Sequence, residues 1–364
     1  LHNQVRFLPA EFESHIVCEA TLNRDQFPQP HVHALDEVPW WRRIPDLAMR
    51  RAGARRHLSF LVETARAVDA RLVHSHFGDY GWRNLGAVSA TGMKHLVTFY
   101  GIDVVFIPRS DPRWGARYRE LFDRVDRVLC EGPHMASCIV ELGCPPEKVS
   151  VHHLGIDMDL LPFQPAVWQP GQPLRVLMAG SFREKKGFPY AIDALGAIRD
   201  EVELEVTLIG DAHDERTGRE KRAILDAIER NRLGDVVRLP GYQPYESVLE
   251  DARRHHVFLS PSVTGSDGDT EGGAPVSIIE MCASGLMVVS TTHCDIPGVV
   301  LDGVTGLLAR ERDTDALADR LRWLLSHPDD WHGMLTAARK HIEAEFDARV
   351  QGERLGEIYR RTLG

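Results

Sequence analysis

"EGGAPVSIIEMCASGLMVVST", residues 271–291, carries a helix start, the helix and the strand after it in one segment. A carboxylate, two glycines and a proline precede an apolar helical run that carries one more acid, Glu280, and the β-branched strand "LMVVST" follows. Pro275 suits the first turn of a helix, where its missing N–H costs nothing. Gly272 and Gly273 let a ligand come close to the backbone. The N–H groups of Val276, Ser277 and their neighbours then form an anion site reinforced by the helix dipole. Glu280, one turn inside, suits a hydrogen-bonded pair with a sugar diol such as ribose. The plainer reading is an ordinary helix start with a solvent-exposed acid.

Working outward, continuously apolar strands alternate with helical segments along most of the chain. In the first half they are "RLVHSHF" (71–77), "KHLVTFY" (94–100), "RVLCEG" (127–132) and "VSVHHLG" (149–155). In the second they are "LRVLMAG" (174–180), "LEVTLIG" (204–210), "VVRLPG" (236–241), "VFLSPS" (257–262), "LMVVST" (286–291) and "TGLLA" (305–309). Strands of this kind belong in parallel sheets covered on both faces, and the alternation gives βαβ units and an α/β fold. The chain of 364 residues is long enough for two domains. "LPFQPAVWQPGQP" (161–173), with four prolines and a glycine, is expected to link them. The expected domains are therefore 1–165 and 174–345, with an amphipathic helix over 346–364 packing back on the first. The opening "LHNQVRFLP" reads as the inside of a helix, with no apolar first strand and glycine turn before it. The true N-terminus is expected to lie upstream.

Composition sets further bounds. Hydrophobic residues make up 43% and charged residues 26%, as in a globular protein with sizeable cores. A net charge of −10 argues against nucleic acid as a partner. The six cysteines have spacings that fit neither a zinc site nor a disulfide framework, so a reduced, cytoplasmic setting is expected. No apolar run approaches the roughly 18–20 residues of a membrane span. The segment "WWRRIPDLAMRRAGARRH" (40–57) gathers Arg42, Arg43, Arg50, Arg51, Arg55 and Arg56 behind two tryptophans. It reads either as a solvated helix face or as a peripheral contact with an anionic membrane.

A second anion feature lies in "LRVLMAGSFREKKGFPYAIDAL", a strand, glycine turn, basic cluster and helix in which Arg183, Lys185 and Lys186 stand at the mouth of the turn. It has neither the glycine spacing of a dinucleotide fingerprint nor the ending of a P-loop. "DGD" (267–269) is read as a polar turn rather than a metal motif. His74 and His76 alternate along a strand and share one face near its carboxyl end.

The pair "GSFREKKGF" (180–188) and "EGGAPVSIIEMCASGLMVVSTTHCDIPGVV" (271–300) resembles family 4 glycosyltransferases, most closely the exopolysaccharide and colanic-acid type. "LGCPPEKVSVHHLGID" (142–157), "LIGDA" (208–212), "GYQPYESV" (241–248) and "DGVTGLLA" (302–309) extend the likeness over nearly the whole chain. The resemblance implies a GT-B fold, two Rossmann-like domains facing each other across a cleft. It also implies metal-independent, retaining transfer of a hexose from a nucleoside-diphosphate sugar, UDP- or GDP-linked, to a glycan, lipid-linked or small-molecule acceptor in polysaccharide biosynthesis, with no cofactor.

Carried over by motif, Lys186 and Arg183 hold the donor phosphates beside Gly180 and Gly210. Gly272, Gly273, Ala274, Pro275, Val276 and Ser277 meet phosphates or sugar hydroxyls. Glu280 takes the ribose, Glu271 touches the transferred sugar, and Tyr242 and Gln243 flank the base. "TFYGID" places Tyr100 and Asp103 beside the reacting sugar, and "HSHFGDYG" (74–81) puts His76, Gly78 and Tyr80 on the acceptor side. No metal ligand is implied. Three departures stand out: Glu271 and Glu280 are nine apart rather than eight, Ser181 replaces the family arginine, and Tyr100 replaces the family histidine. The competing readings are a nucleotide-sugar epimerase or hydrolase of the same fold and a non-catalytic nucleotide-sugar-binding partner.

Overall fold

The computed structural model describes residues 2–22, 24, 27–44 and 59–364, and the chain divides into two compact units. The first comprises residues 1–155 together with Ala348–Gly364; the second is Ile156–Asp347.

In the first unit, β1 (Ile16–Cys18) and β2 (Val32–Ala34) form a separate two-stranded parallel sheet. The main sheet is parallel, with β3 (Leu72–His76), β4 (Lys94–Thr98), β5 (Arg127–Cys130) and β6 (Val149–Val151) in that order. Its core joins Val97, Phe99 and Val128 to Leu85 of the helix Gly78–Thr91 and to Tyr118, Leu121 and Phe122 of the helix Arg113–Arg124. The last helix, Ala348–Leu363, buries Leu355 and Tyr359 against Leu96 of β4 and Leu129 of β5. Two glycines explain how closely the N-terminal segment at Phe7 and Pro9 lies on that helix. A Cβ at Gly352 would sit 1.9 Å from the Phe7 carbonyl oxygen, and one at Gly356 would sit 2.7 Å from the Pro9 ring.

The second unit has a six-stranded parallel sheet of β7 (Leu174–Ala179), β8 (Leu204–Ile209), β9 (Val237–Gly241), β10 (Val257–Ser260), β11 (Met287–Thr291) and β12 (Leu307–Ala309). The spatial order is β12-β11-β10-β7-β8-β9. The chain winds outward from β7 in one direction, then returns to β10 on the other side of β7. The carboxyl ends of β7 and β10 therefore flank a topological switch point, where open α/β sheets bind ligands.

Two boundary expectations need correction. The division falls between Gly155 and Ile156, and the proline-rich stretch 161–173 is not a free linker. The N–H groups of Gln164 and Ala166 donate to the carbonyls of Ser284 and Gly285, at 3.0 and 2.8 Å, and Trp168 is buried in the core of the second unit. Proline removes donors, but the intervening residues still pair and their side chains still pack. The segment returning to the first unit begins at Ala348 rather than 346. Most of the basic stretch 40–57 lies outside the described residues: only a short 3-10 turn, Trp40–Arg43, and Ile44 fall within them, and the side chains of Arg42 and Arg43 do not.

Candidate functional site

In the second unit, three strands end in glycines that the geometry requires. Gly180, after β7, has φ 158° and its N–H donates to the Ile209 carbonyl at 2.9 Å. Gly210, after β8, has φ 144°, and a Cβ there would lie 1.9 Å from the Gly180 carbonyl oxygen. Gly241 ends β9 with φ 76° and accepts from the Gly210 N–H at 3.1 Å. A Cβ at Gly210 would push the ends of β7 and β8 apart, whereas at Gly180 and Gly241 it is the positive φ that favours glycine. The basic turn that follows Gly180 is held in place by Gly187, at φ 66°, where a Cβ would meet the Pro261 carbonyl oxygen at 1.9 Å. The turn after β7 is thus clamped against the loop after β10, across the switch point.

The cationic turn and the glycine loop meet at Glu271, whose side chain is only 6% exposed. Lys186 Nζ lies 2.9 Å from Glu271 Oε1, Lys185 Nζ lies 3.7 Å from Oε2, and the Ser262 hydroxyl donates to Oε1 at 2.9 Å. Burial alone would push this carboxyl up; the charges of Lys186 and Lys185, with hydrogen bonds from Lys186 and Ser262, overturn that and hold it below its ordinary value. The Glu271 N–H donates to His293 Nε2 at 3.1 Å, so that nitrogen is an acceptor and the proton sits on Nδ1, which donates to Glu311 Oε1 at 2.7 Å. Glu311 in turn accepts from the Thr264 N–H at 2.7 Å. A buried histidine from the end of β11 thereby fixes the backbone of Glu271.

Arg183, like Lys186, is paired with a carboxylate. Its guanidinium donates to Asp269 Oδ2 at 2.6 Å, and Arg216 reaches both Asp269 (3.1 Å) and Asp267 (2.5 Å). Lys185 donates to the Thr270 carbonyl at 2.7 Å. The two aspartates of "DGD" are bound by cations, which leaves them unsuited to a dication. Around the switch point, Arg183, Lys185, Lys186 and Arg216 pair with Asp267, Asp269 and Glu271.

Beyond Glu271, Gly272, Gly273 and Pro275 are buried and Ala274 is half-buried. The helix runs Val276–Ser284 with Pro275 as its N-cap, one position earlier than the first turn, and no side chain caps it. The Ile278 N–H returns to the Pro275 carbonyl at 2.9 Å. The N–H groups of Val276 and Ser277 find no protein acceptor among the described residues. Glu280 is neither free nor on the far surface: it accepts from the Tyr245 hydroxyl at 2.8 Å, and its pKa is raised by burial. Tyr242 is exposed, its hydroxyl donating to the Asp211 carbonyl at 2.8 Å, and Gln243 donates to the Pro240 carbonyl at 2.8 Å.

The remaining candidates gather in the first unit at the carboxyl ends of β3 and β4. His74 and His76 stack with ring centroids 4.5 Å apart. His76 Nδ1 lies 2.5 Å from the Tyr100 hydroxyl, and burial lowers its pKa to about 3, so the ring is neutral at physiological pH. Asp103 is fully buried and its carboxylate receives the N–H groups of Gly78 (2.7 Å) and Tyr100 (2.9 Å). Burial raises it to about 6, against the lowering effect of those two bonds. Gly78 is obligatory, since a Cβ there would lie 2.1 Å from the Phe99 ring. Phe77, before it, is forced to φ 71°. Tyr80 stands partly exposed under the Arg83 guanidinium, 5.0 Å from its ring centroid.

Sequence reasoning missed Arg216, Ser262, Tyr245, His293 and Glu311. His293 had a usable signal, since "TTHCD" directly follows a strand at the ligand-binding edge; the others come from separate loops and helices whose meeting depends on the fold.

Comparison with known proteins gives this geometry a family. The profile described as "Glycosyltransferase Family 4" matches residues 1–160, and the one described as "Glycosyl transferases group 1" matches residues 173–327. WcaL of Salmonella typhimurium, named as a colanic acid biosynthesis glycosyltransferase, is 34% identical over 295 residues, 78% of this chain and 69% of that protein. The chain belongs to the family 4 glycosyltransferases. This family 4 glycosyltransferase is also 32% identical over 300 residues to AmsK of Erwinia amylovora, named as an amylovoran biosynthesis glycosyltransferase, covering 81% of this chain and 70% of that one. Among solved structures, the lipopolysaccharide outer core galactosyltransferase WaaB superposes with a TM-score of 0.72 at 14% identity, covering 99% of this chain and 94% of that one. HepE of Anabaena, solved with UDP and glucose, gives a TM-score of 0.66 at 15% identity over 82% and 80% of the two chains. The fold is therefore α/β of the GT-B class, with one parallel sheet of four strands and one of six as its main sheets.

Proposed function

We propose that this family 4 glycosyltransferase transfers a hexose, with retention of configuration, from a UDP- or GDP-linked donor to a glycan or lipid-linked acceptor in exopolysaccharide assembly. The observation that carries the donor half is the cationic turn clamped at the switch point, with Lys186 on a buried acid and two unpaired N–H groups at the start of the helix Val276–Ser284. As the glycosidic bond to the donor breaks, negative charge grows on the departing diphosphate. A lysine and oriented N–H donors already in position stabilise that charge without reorganising, the largest usual contribution to catalysis. Lys186 exchanges Glu271 for the diphosphate on donor binding, and Glu271 is then free to accept from the hydroxyls of the sugar being transferred. Glu280 takes the ribose diol, a reading supported by its accepting a hydrogen bond from the Tyr245 hydroxyl. Arg183 acts through Asp269 by holding the loop rather than by gripping phosphate. Gly180 and Gly210 leave room for the donor at the strand ends, and Tyr242 and Gln243 border the base. Tyr100 and Asp103 stand beside the reacting sugar, and neutral His76, with Gly78 and Tyr80, lines the acceptor side. Recruitment to an anionic membrane by the basic stretch 40–57 would bring a lipid-linked acceptor within reach; no helix among the described residues is long and apolar enough to cross a membrane.

The test is donor turnover. Nucleoside diphosphate released from a UDP- or GDP-sugar only when an acceptor is present, with an axial or equatorial linkage matching the donor anomer, supports retaining transfer. Release without acceptor makes the chain a hydrolase, and binding without release makes it a sugar-nucleotide-binding partner.

A further inference from the structure

A cluster of imidazoles lies on the small two-stranded sheet of the first unit, apart from every residue assigned to transfer. Glu13 and His15 lead into β1, and His31 and His33 lie at the start of β2. Parallel pairing of Ile16 with Val32, together with the Ile16 N–H bond to the His31 carbonyl at 2.8 Å, sets His15 beside His31. Their rings stack at 4.6 Å between centroids. Both turn Nε2 toward one carboxylate oxygen, Glu13 Oε1, at 3.2 Å from His15 and 3.8 Å from His31. One donor atom from each of Glu13, His15 and His31 lies within 4.8 Å of the other two. Tetrahedral zinc with ligand bonds of about 2.0–2.1 Å separates its ligand atoms by roughly 3.3–3.5 Å, so small side-chain rotations bring these three onto one ion.

The second nitrogen of His15 adds an independent observation. Nδ1 lies 3.0 Å from His33 Nε2. In the metal-free state the proton on His33 Nε2 is donated to His15 Nδ1, and His15 Nε2–H is donated to Glu13. When a dication takes the His15 Nε2 lone pair, the ring's single proton moves to Nδ1 and is donated back to His33 Nε2, whose own proton sits on Nδ1. Each ring keeps one proton throughout. A ligating histidine whose outer nitrogen has a built partner is the usual arrangement around transition metals, where that partner fixes the tautomer.

We propose that Glu13, His15 and His31 bind a divalent transition metal, zinc or a neighbour in the affinity series, with His33 orienting His15 and the fourth position left to water. Two imidazoles and a carboxylate suit such ions better than magnesium or calcium. The ion would tie together strands of three residues each, too short to be stable by themselves, across the loop between them. The inference does not rest on the transfer reading.

The full chain, stripped with chelator and dialysed, is titrated with zinc by calorimetry and loaded with cobalt for visible absorption. One tight zinc per chain and an intense four-coordinate cobalt spectrum are expected. His15→Ala or Glu13→Gln should weaken the site by more than about 100-fold, and His33→Ala by about 10–100-fold. Cys138→Ser, on the helix Pro133–Glu141 where its Sγ lies 3.7 Å from His134 Nε2, should change nothing. His31→Gln, at an exposed position, reads the same loss should the His15 variant misfold by circular dichroism. Zinc binding no tighter than the general background of surface histidines, or equally tight in the His31 and Glu13 variants, overturns the proposal.

Discussion

Replacing Glu271 by glutamine isolates the charge at the centre of the site while keeping its shape. The acid is almost fully buried, with Lys186 at 2.9 Å, Lys185 at 3.7 Å and the Ser262 hydroxyl at 2.9 Å. In the variant two lysines, themselves 13% and 17% exposed, face a neutral amide. Breaking a fully buried pair from one side costs about 3–5 kcal/mol; partial exposure of the lysines lets water recover some of that, giving about 2–3 kcal/mol here. For a unit of this size the melting transition falls by roughly 4–12 °C. The pH dependence changes too. Glu271 titrates below its ordinary value of 4.5, so its stabilisation is complete above that pH and is lost as pH falls through the folded value. The variant lacks that acid limb. Lysines released from Glu271 remain available to a diphosphate, so nucleoside-diphosphate affinity should hold or rise by up to about tenfold, while turnover falls by more than about 100-fold. Calorimetric binding and initial rates on the same preparation separate the two. Affinity falling in step with turnover, or an unaltered melting curve, refutes the assignment of Glu271 as both lysine partner and sugar contact.

Further outcomes follow from other features of the same fold. Gly210→Ala forces a Cβ to within 1.9 Å of a carbonyl oxygen at φ 144° and should cost more than about 4 kcal/mol in urea unfolding, whereas Gly234→Ala, with nothing within 4 Å, should be near neutral. Asp103 moves from an ordinary 3.8 to about 6, so stability should decline by about 3 kcal/mol as pH rises from about 4 to above 6; Asp103→Asn should flatten that slope in unfolding measured across the range. Glu280→Gln should erase most of an approximately tenfold preference for a ribose over a 2′-deoxyribose nucleoside diphosphate, read by competition binding.

The ten strands of the two main sheets were legible because buried parallel strands are unbroken apolar runs bounded by glycine turns. β1 and β2 were not, since "IVC" and "VHA" are too short to carry a period. The proline-rich stretch misled because composition reports lost donors but not the partners that remaining donors find, as Gln164 and Ala166 do on the residues after Cys282. At the site, sequence named both Lys186 and Glu271 from separate motifs, and their ion pair needed the fold to appear. The motif that offers Arg183 to phosphate does not reveal that its guanidinium also reaches Asp269, 86 residues on. His293 and Glu311 position Glu271 through its backbone, a role with no sequence signature of its own.

The most direct measurement is calorimetric binding of UDP and GDP to the native chain and to Lys186→Ala, with the double variant Lys186→Ala/Glu271→Gln as control. The preferred diphosphate should bind about 10–100-fold more weakly to the single variant, from loss of one charge-assisted bond and exposure of the ligand to Glu271, with partial recovery in the double variant. Equal affinity of all three proteins for that diphosphate would contradict this expectation.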